Sequence, residues 1–156
     1  MSKTKNLLVK TLFSCLLIVA LPAMAADTAS NDPLKSRQKL MKGMGKNMKE
    51  IKKALDGKTN ATALPEQAKN VETAAKTLVT DLKVLFPAGS NKGKTDVKPL
   101  VWDKWADFEK IANDLSSKAD AFAQAAGKGE QASIQSSFKD LAGVCKTCHK
   151  DYRTEK

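Results

Sequence analysis

Residues 130–153 read EQASIQSSFKDLAGVCKTCHKDYR. Ile134, Phe138, Leu141, Cys145, Cys148 and Tyr152 follow one another at steps of four, three, four, three and four, the stripe of an amphipathic helix with one inward face. Two members of that stripe are cysteines, and the second is followed by His149, the single histidine of the chain. The spacing Cys-x-x-Cys-His is the attachment signature of c-type haem: two thiols add across the porphyrin vinyls and the adjoining imidazole takes an axial position on iron. Positions i, i+3 and i+4 share a helix face, so Cys145, Cys148 and His149 point together at one flat ligand. Because the cysteines continue the apolar stripe, the haem is expected in one end of the core, largely buried.

Two other chemistries use such residues. A thioredoxin-like redox pair sits at a helix N-terminus inside a βαβ unit, whereas this pair comes late in a helical pattern with no strand-like segment before it. A structural zinc site needs four protein ligands, and past the leader the chain offers two cysteines and one histidine.

The N-terminus agrees with haem attachment, which in bacteria takes place after export. Lys3, Lys5 and Lys10 form a basic leader, Leu12 to Leu21 a mostly apolar stretch, and Ala23-Met24-Ala25 a small-residue cleavage site. Together they read as a secretory signal peptide over residues 1–25, with the mature chain beginning at Ala26 and a periplasmic product. Most of the apolar run follows Cys15, which argues against a lipoprotein anchor. The run is short for a transmembrane span, and no later segment reaches the roughly 18 apolar residues a span requires, so no stable membrane insertion is expected.

Residues 26–156 suffice for one domain with a core of its own. They carry 24 basic and 17 acidic residues, a net charge of +7. A basic exterior favours acidic partners or anionic head groups through long-range steering, and equally fits a solvated surface without a partner. Nucleic acid is not an expected partner in the periplasm. Four amphipathic stretches follow, and none alternates like a strand. The first opens at Asp32-Pro33, a cap with proline at the first helical position, and closes near Asp56-Gly57. The second runs from about Pro65 to Phe86, ahead of Pro87. After a Gly-, Ser-, Asn- and Lys-rich connection over 87–98, the third carries Trp105, Phe108, Ala112, Leu115, Ala119, Phe122 and Ala126 and stops at Gly127. The fourth spans about Glu130 to Arg153. These stripes predict an all-α fold, an antiparallel up-down-up-down four-helix bundle with covalently bound haem over residues 26–156.

A single histidine excludes bis-histidine ligation within one chain. Methionine is the commonest remaining donor in electron-transfer haems, and Met41, Met44 and Met48 all lie in the first helix. With the first and fourth helices antiparallel, depth is counted from their shared end. His149 then lies about 6 Å in, Met41 about 12 Å, Met44 about 17 Å and Met48 about 23 Å at the standard rise. Met41 comes nearest to the layer of His149 and is the expected distal ligand, although a methionine stripe also fits plain core packing.

Arg37-Gln38-Lys39-Leu40-Met41, Pro99-Leu100-Val101-Trp102 with Phe108, and Cys145 to Arg153 together resemble the class II cytochromes c, the cytochrome c′ and c-556 group, over the whole mature length. The resemblance agrees with one covalently attached haem c, and no catalysis is expected, because no metal-activated water, general base or substrate cleft is visible in the sequence. Within that group, gas-binding cytochromes c′ usually carry an apolar non-ligand at the position of Met41 and keep five-coordinate iron. Low-spin members have methionine there. The expectation is therefore a periplasmic monohaem protein performing one-electron transfer through a His149/Met41-ligated haem, with redox partner proteins, acidic ones among them. The alternative is a five-coordinate cytochrome c′ binding nitric oxide or carbon monoxide. Arg37 lies one turn before Met41, in reach of a haem propionate. Arg153 lies one turn after His149 and matches a basic residue that the group keeps near the proximal face. Trp102, Trp105, Phe108 and Phe122 are expected as walls of the haem pocket and core. Dimerisation through the first two helices is common in the group, and the lysine-heavy faces here leave a homodimer open.

Overall fold

The computed structural model describes residues 32–155, so the leader read over residues 1–25 and the mature start at Ala26 lie outside the described residues. Helix α1 is Pro33–Leu55. Its start is fixed by Asp32, whose carboxylate accepts the N–H groups of Leu34 at 3.0 Å and Lys35 at 3.4 Å, with proline at the first helical position. Past Asp56 the chain leaves the helix through Gly57 at φ +71°, a left-handed conformation that glycine adopts freely.

The second expected helix is two pieces, α2 (Leu64–Thr80) and α3 (Leu82–Leu85). Asp81 separates them, still bonded through its N–H to Thr77 O at 2.9 Å and accepting from Leu85 N at 2.8 Å, so hydrogen bonding runs on across the break. The sequence before the break, Thr77-Leu78-Val79-Thr80, is rich in β-branched residues that fit a helix poorly. The third is likewise divided, into α4 (Leu100–Asp103) and α5 (Trp105–Lys128). Helix α5 runs through Gly127 and ends at Gly129, which takes φ +75°. The helix thus stops two residues beyond the expected Gly127, because Gly129 supplies the left-handed residue that closes the last turn. Helix α6 is Gln131–Tyr152.

The four-helix antiparallel bundle is as expected, and no β-strand occurs among the described residues. Helix α2 packs on α1 and α5, and α5 on α6, while α1 and α6 hardly touch. Ile51, Val71, Phe122 and Leu141 form the fully buried centre. The open seam between α1 and α6 is closed at one end by the 86–99 connection. There Lys98 N–H donates to Tyr152 O at 3.0 Å and Thr154 N–H to Asp96 O at 2.8 Å, around an isolated bridge between Val97 and Arg153. On the α1 side, Gln38 donates to Lys94 O at 2.9 Å. This strap joins the start of α1 to the end of α6, which confirms that the two helices run antiparallel.

Candidate haem site

Along the α1–α6 seam lies a cleft of about 590 Å³, solvent at its mouth included. The α6 wall consists of Val144, Cys145, Cys148 and His149. Opposite stand Met41, Met44 and Met48 of α1, and the floor is Val71 and Leu78 of α2 with Phe108, Ile111, Ala112 and Leu115 of α5. The helical spacing therefore brings both cysteines and the histidine to one apolar cavity, as read from the stripe. They sit less deeply than expected: both cysteines are half-buried and His149 is exposed. The missing α1–α6 contact leaves this edge open.

Both thiols are free. Burial pushes the Cys145 thiol up, and burial followed by the charges of Cys145 and Asp151 pushes Cys148 up to about 11. Such groups are protonated near neutrality, unlike the activated thiolate of a disulfide oxidoreductase. Among the described residues no three His, Cys, Asp or Glu side chains converge to hold a metal ion. The donor set is thus one imidazole and two thiols on one helix face, which fits a planar group attached by thioethers and held by one axial nitrogen. Although the residue as a whole is exposed, partial burial of its ring, then the Arg153 guanidinium, hold His149 below the ordinary imidazole range. Its neutral form, the one with a lone pair for iron, is favoured at neutral pH.

Arg153 caps α6, its N–H donating to His149 O at 3.1 Å, and its charge is felt by His149. Arg37 departs from the expected propionate reach. It is 3% exposed, and its guanidinium donates to Leu85 O (3.0 Å), Ser90 Oγ (2.9 Å), Ser90 O (2.6 Å) and Thr95 Oγ1 (3.2 Å), over the Phe86 ring at 5.1 Å. Only its Nε–H is buried without a partner. Phe108 lines the cleft, whereas Phe122 packs on Phe138 at 5.6 Å in the core and Trp102 donates to Phe86 O at 3.1 Å. Trp105 rests on Phe108 at 5.9 Å. Ile111 and Val144 were absent from the stripes read in the sequence, being flanking positions exposed to the cleft only by the α1–α6 gap.

The family model described as cytochrome C′ matches residues 32–153. A cytochrome c′ of Allochromatium vinosum is 33% identical over 88% of this chain and 90% of its own length. A cytochrome c-556 of Agrobacterium fabrum is 30% identical over 99% of this chain and 98% of its own. A solved cytochrome c′, described as having an unusual ligand-controlled dimer dissociation, superposes with a TM-score of 0.74 at 30% identity, covering 80% of this chain and 96% of its own. Among the described residues no helix is long and apolar enough to cross a membrane.

These matches overturn the expected function of one-electron transfer through a low-spin His149/Met41 haem. The model spanning the described domain is that of cytochrome c′, the type for which the resemblance implies five-coordinate iron. The geometry gives Met41 no special standing either. Depth counting assumed that α1 and α6 pack directly, but the gap between them lets Met41, Met44 and Met48 all line the cleft. The chain belongs to the cytochrome c′ family of class II cytochromes c, whose members carry a single covalently attached haem c.

Proposed function

We propose that this chain is an exported haem protein that binds nitric oxide or carbon monoxide at an iron whose one protein ligand is His149. Residues 1–25 direct export to the periplasm, and residues 26–156 form the haem domain. The observation that carries the reading is the composition of the cleft. One wall has the attachment pair and the imidazole, and the facing wall has three thioethers and no hydrogen-bond donor.

Bound haem supplies an iron site that takes diatomic ligands. The chain's own residues set the terms of access. Met41, Met44 and Met48 with Val71 and Leu78 make a dry surface, which disfavours water as a resident ligand. That wall offers no hydrogen-bond donor of the kind dioxygen would need to stabilise its charge, whereas carbon monoxide and nitric oxide need none. His149 would hold the iron through its neutral imidazole, a form favoured first by burial and then by the nearby Arg153 charge. The Arg153 guanidinium is the cation assigned to the propionates. Binding is favoured over catalysis because the cleft lining holds no carboxylate and no base besides His149. Association as a homodimer is part of the proposal, supported by the solved relative whose dimer dissociates under ligand control.

Absorption spectra of the purified holoprotein test this reading. The expected result is a high-spin spectrum that shifts with carbon monoxide, with sedimentation in the same titration reporting the dimer. Met41→Ala should leave the spin state unchanged and speed carbon monoxide association about tenfold or more by opening the apolar wall, a loss of roughly 1.4 kcal/mol in barrier. A low-spin spectrum that carbon monoxide leaves unchanged and that Met41→Ala converts to high spin sinks the proposal.

A further inference from the structure

We propose that the outer face of α1 is a docking surface for an acidic protein, one presenting a line of carboxylates along a helix or groove. Helix α1 carries seven lysines and Arg37 against one acid, Glu50, a net charge of +7. Residues 26–156 as a whole also stand at +7, so the 16 basic and 16 acidic residues outside α1 cancel. A charge excess that served solubility alone would have no reason to gather on one helix.

Within α1 the excess forms a row. Lys35, Lys39, Lys42, Lys46 and Lys49 are exposed, follow at steps of four, three, four and three, and lie opposite the buried Arg37, Met44 and Ile51. Neighbours in such a row stand about 5–6 Å apart at Cβ, and from first to last it is about 21 Å long at the helical rise. Lys35 has Asp32 at 3.9 Å, while among the described residues Lys39, Lys42, Lys46 and Lys49 have no carboxylate within 4.0 Å. Glu50 is engaged by Lys53 at 2.9 Å. Like charges at such spacing weaken the helix that bears them. Gly43 and Gly45, exposed in its middle, weaken it further, and a Cβ at either would meet nothing within 4 Å. Packing inside the protomer asks for neither feature, and a row of carboxylates laid along the helix would relieve the repulsion.

The shape of the row selects the occupant. A bilayer presents a plane, whereas this row follows a single helix: the lysines of the neighbouring α2, Lys69 and Lys76, are held by Glu72, and Lys76 also by Asp120. The row has no apolar side chain to insert among lipid tails. A second copy of this chain seated on the row would set lysines against lysines, so the homodimer proposed above uses another face and leaves the row free. A linear acidic protein surface matches both the sign and the width.

The test uses the haem-loaded protein and a helical 18-residue peptide with glutamates at alternating steps of three and four, beside a peptide of the same composition in scrambled order. Lys39→Gln, Lys42→Gln, Lys46→Gln and Lys49→Gln are combined in one variant. A second variant makes the same charge change elsewhere, at Lys83, Lys92, Lys128 and Lys139. The striped peptide should bind, more weakly as salt rises, and the α1 variant should lose about tenfold in affinity while the second stays within about twofold. Equal losses in the two variants, or equal binding of the scrambled peptide, would overturn a located site. Binding only to phosphatidylglycerol–phosphatidylethanolamine vesicles would assign the row to a membrane surface and overturn the protein partner.

Discussion

Four acceptors on the 85–95 segment and one aromatic face surround the Arg37 guanidinium, all drawn from a stretch about 50 residues away in sequence. Burial lowers its pKa and Asp32 partly offsets this, so the group stays charged at neutral pH. A buried cation whose partners are backbone carbonyls and hydroxyls cannot be truncated cheaply, because Leu85 O and Ser90 O would be left without donors. Arg37→Ala is expected to destabilise the holoprotein by about 2–4 kcal/mol in urea unfolding. Arg37→Lys should recover less than half of that, since an ammonium cannot span the fork of acceptors. A stability loss confined to a few tenths of a kilocalorie would show that these acceptors do not depend on the guanidinium.

Helices α2 and α5 meet at Glu72, which is 3% exposed yet ionised, held by Lys69 at 2.7 Å and by Lys76, which also reaches Asp120 at 3.3 Å. Lys69 first and Lys76 next pull the Glu72 carboxyl below its ordinary range. The carboxylate therefore contributes stability above the unfolded-state pKa of about 4.3, and the contribution fades as pH falls through the lower folded value. The stability difference between the wild type and Glu72→Gln should be largest near pH 7 and vanish in strong acid. A difference that grew on acidification would contradict the pairing. Elements of this kind were legible in the sequence where a residue's own chemistry fixes them: the Asp32-Pro33 start, the closure at Gly57 and the Cys145–His149 face. Breaks at Asp81 and Lys104 were not, because the apolar stripes pass through both. The distal ligand was misjudged for a related reason. Periodicity places Met41 on the correct face of α1, but it carries no information on the distance between α1 and α6.

At the scale of the molecule, that distance leaves both α1 and α6 open to the cleft on one side, and of the two α1 has the weaker middle. Helices α2, α5 and α6 pack in sequence, each on the next, while α1 has α2 and the short α3 on one side and the cleft on the other. Its ends are tied, by Asp32 and Arg37 at the start and by Asp56 between Lys52 and Lys58 at the finish. The middle has no such tie. It holds Gly43 and Gly45, each about 1 kcal/mol less favourable in a helix than alanine, and the three methionines that face the cleft. Haem seated between α1 and α6 would supply the contacts that the second helix withholds. Hydrogen exchange should therefore distinguish the two halves of the bundle. In a Cys145→Ala/Cys148→Ala chain, which cannot attach haem, amides of residues 41–50 should exchange at least about tenfold faster than in the holoprotein, the signature of local opening. Residues 108–122 of α5, packed on both sides, should keep most of their protection. Uniform loss of protection across the bundle would instead mean that haem holds the whole fold together, with α1 no weaker than its neighbours.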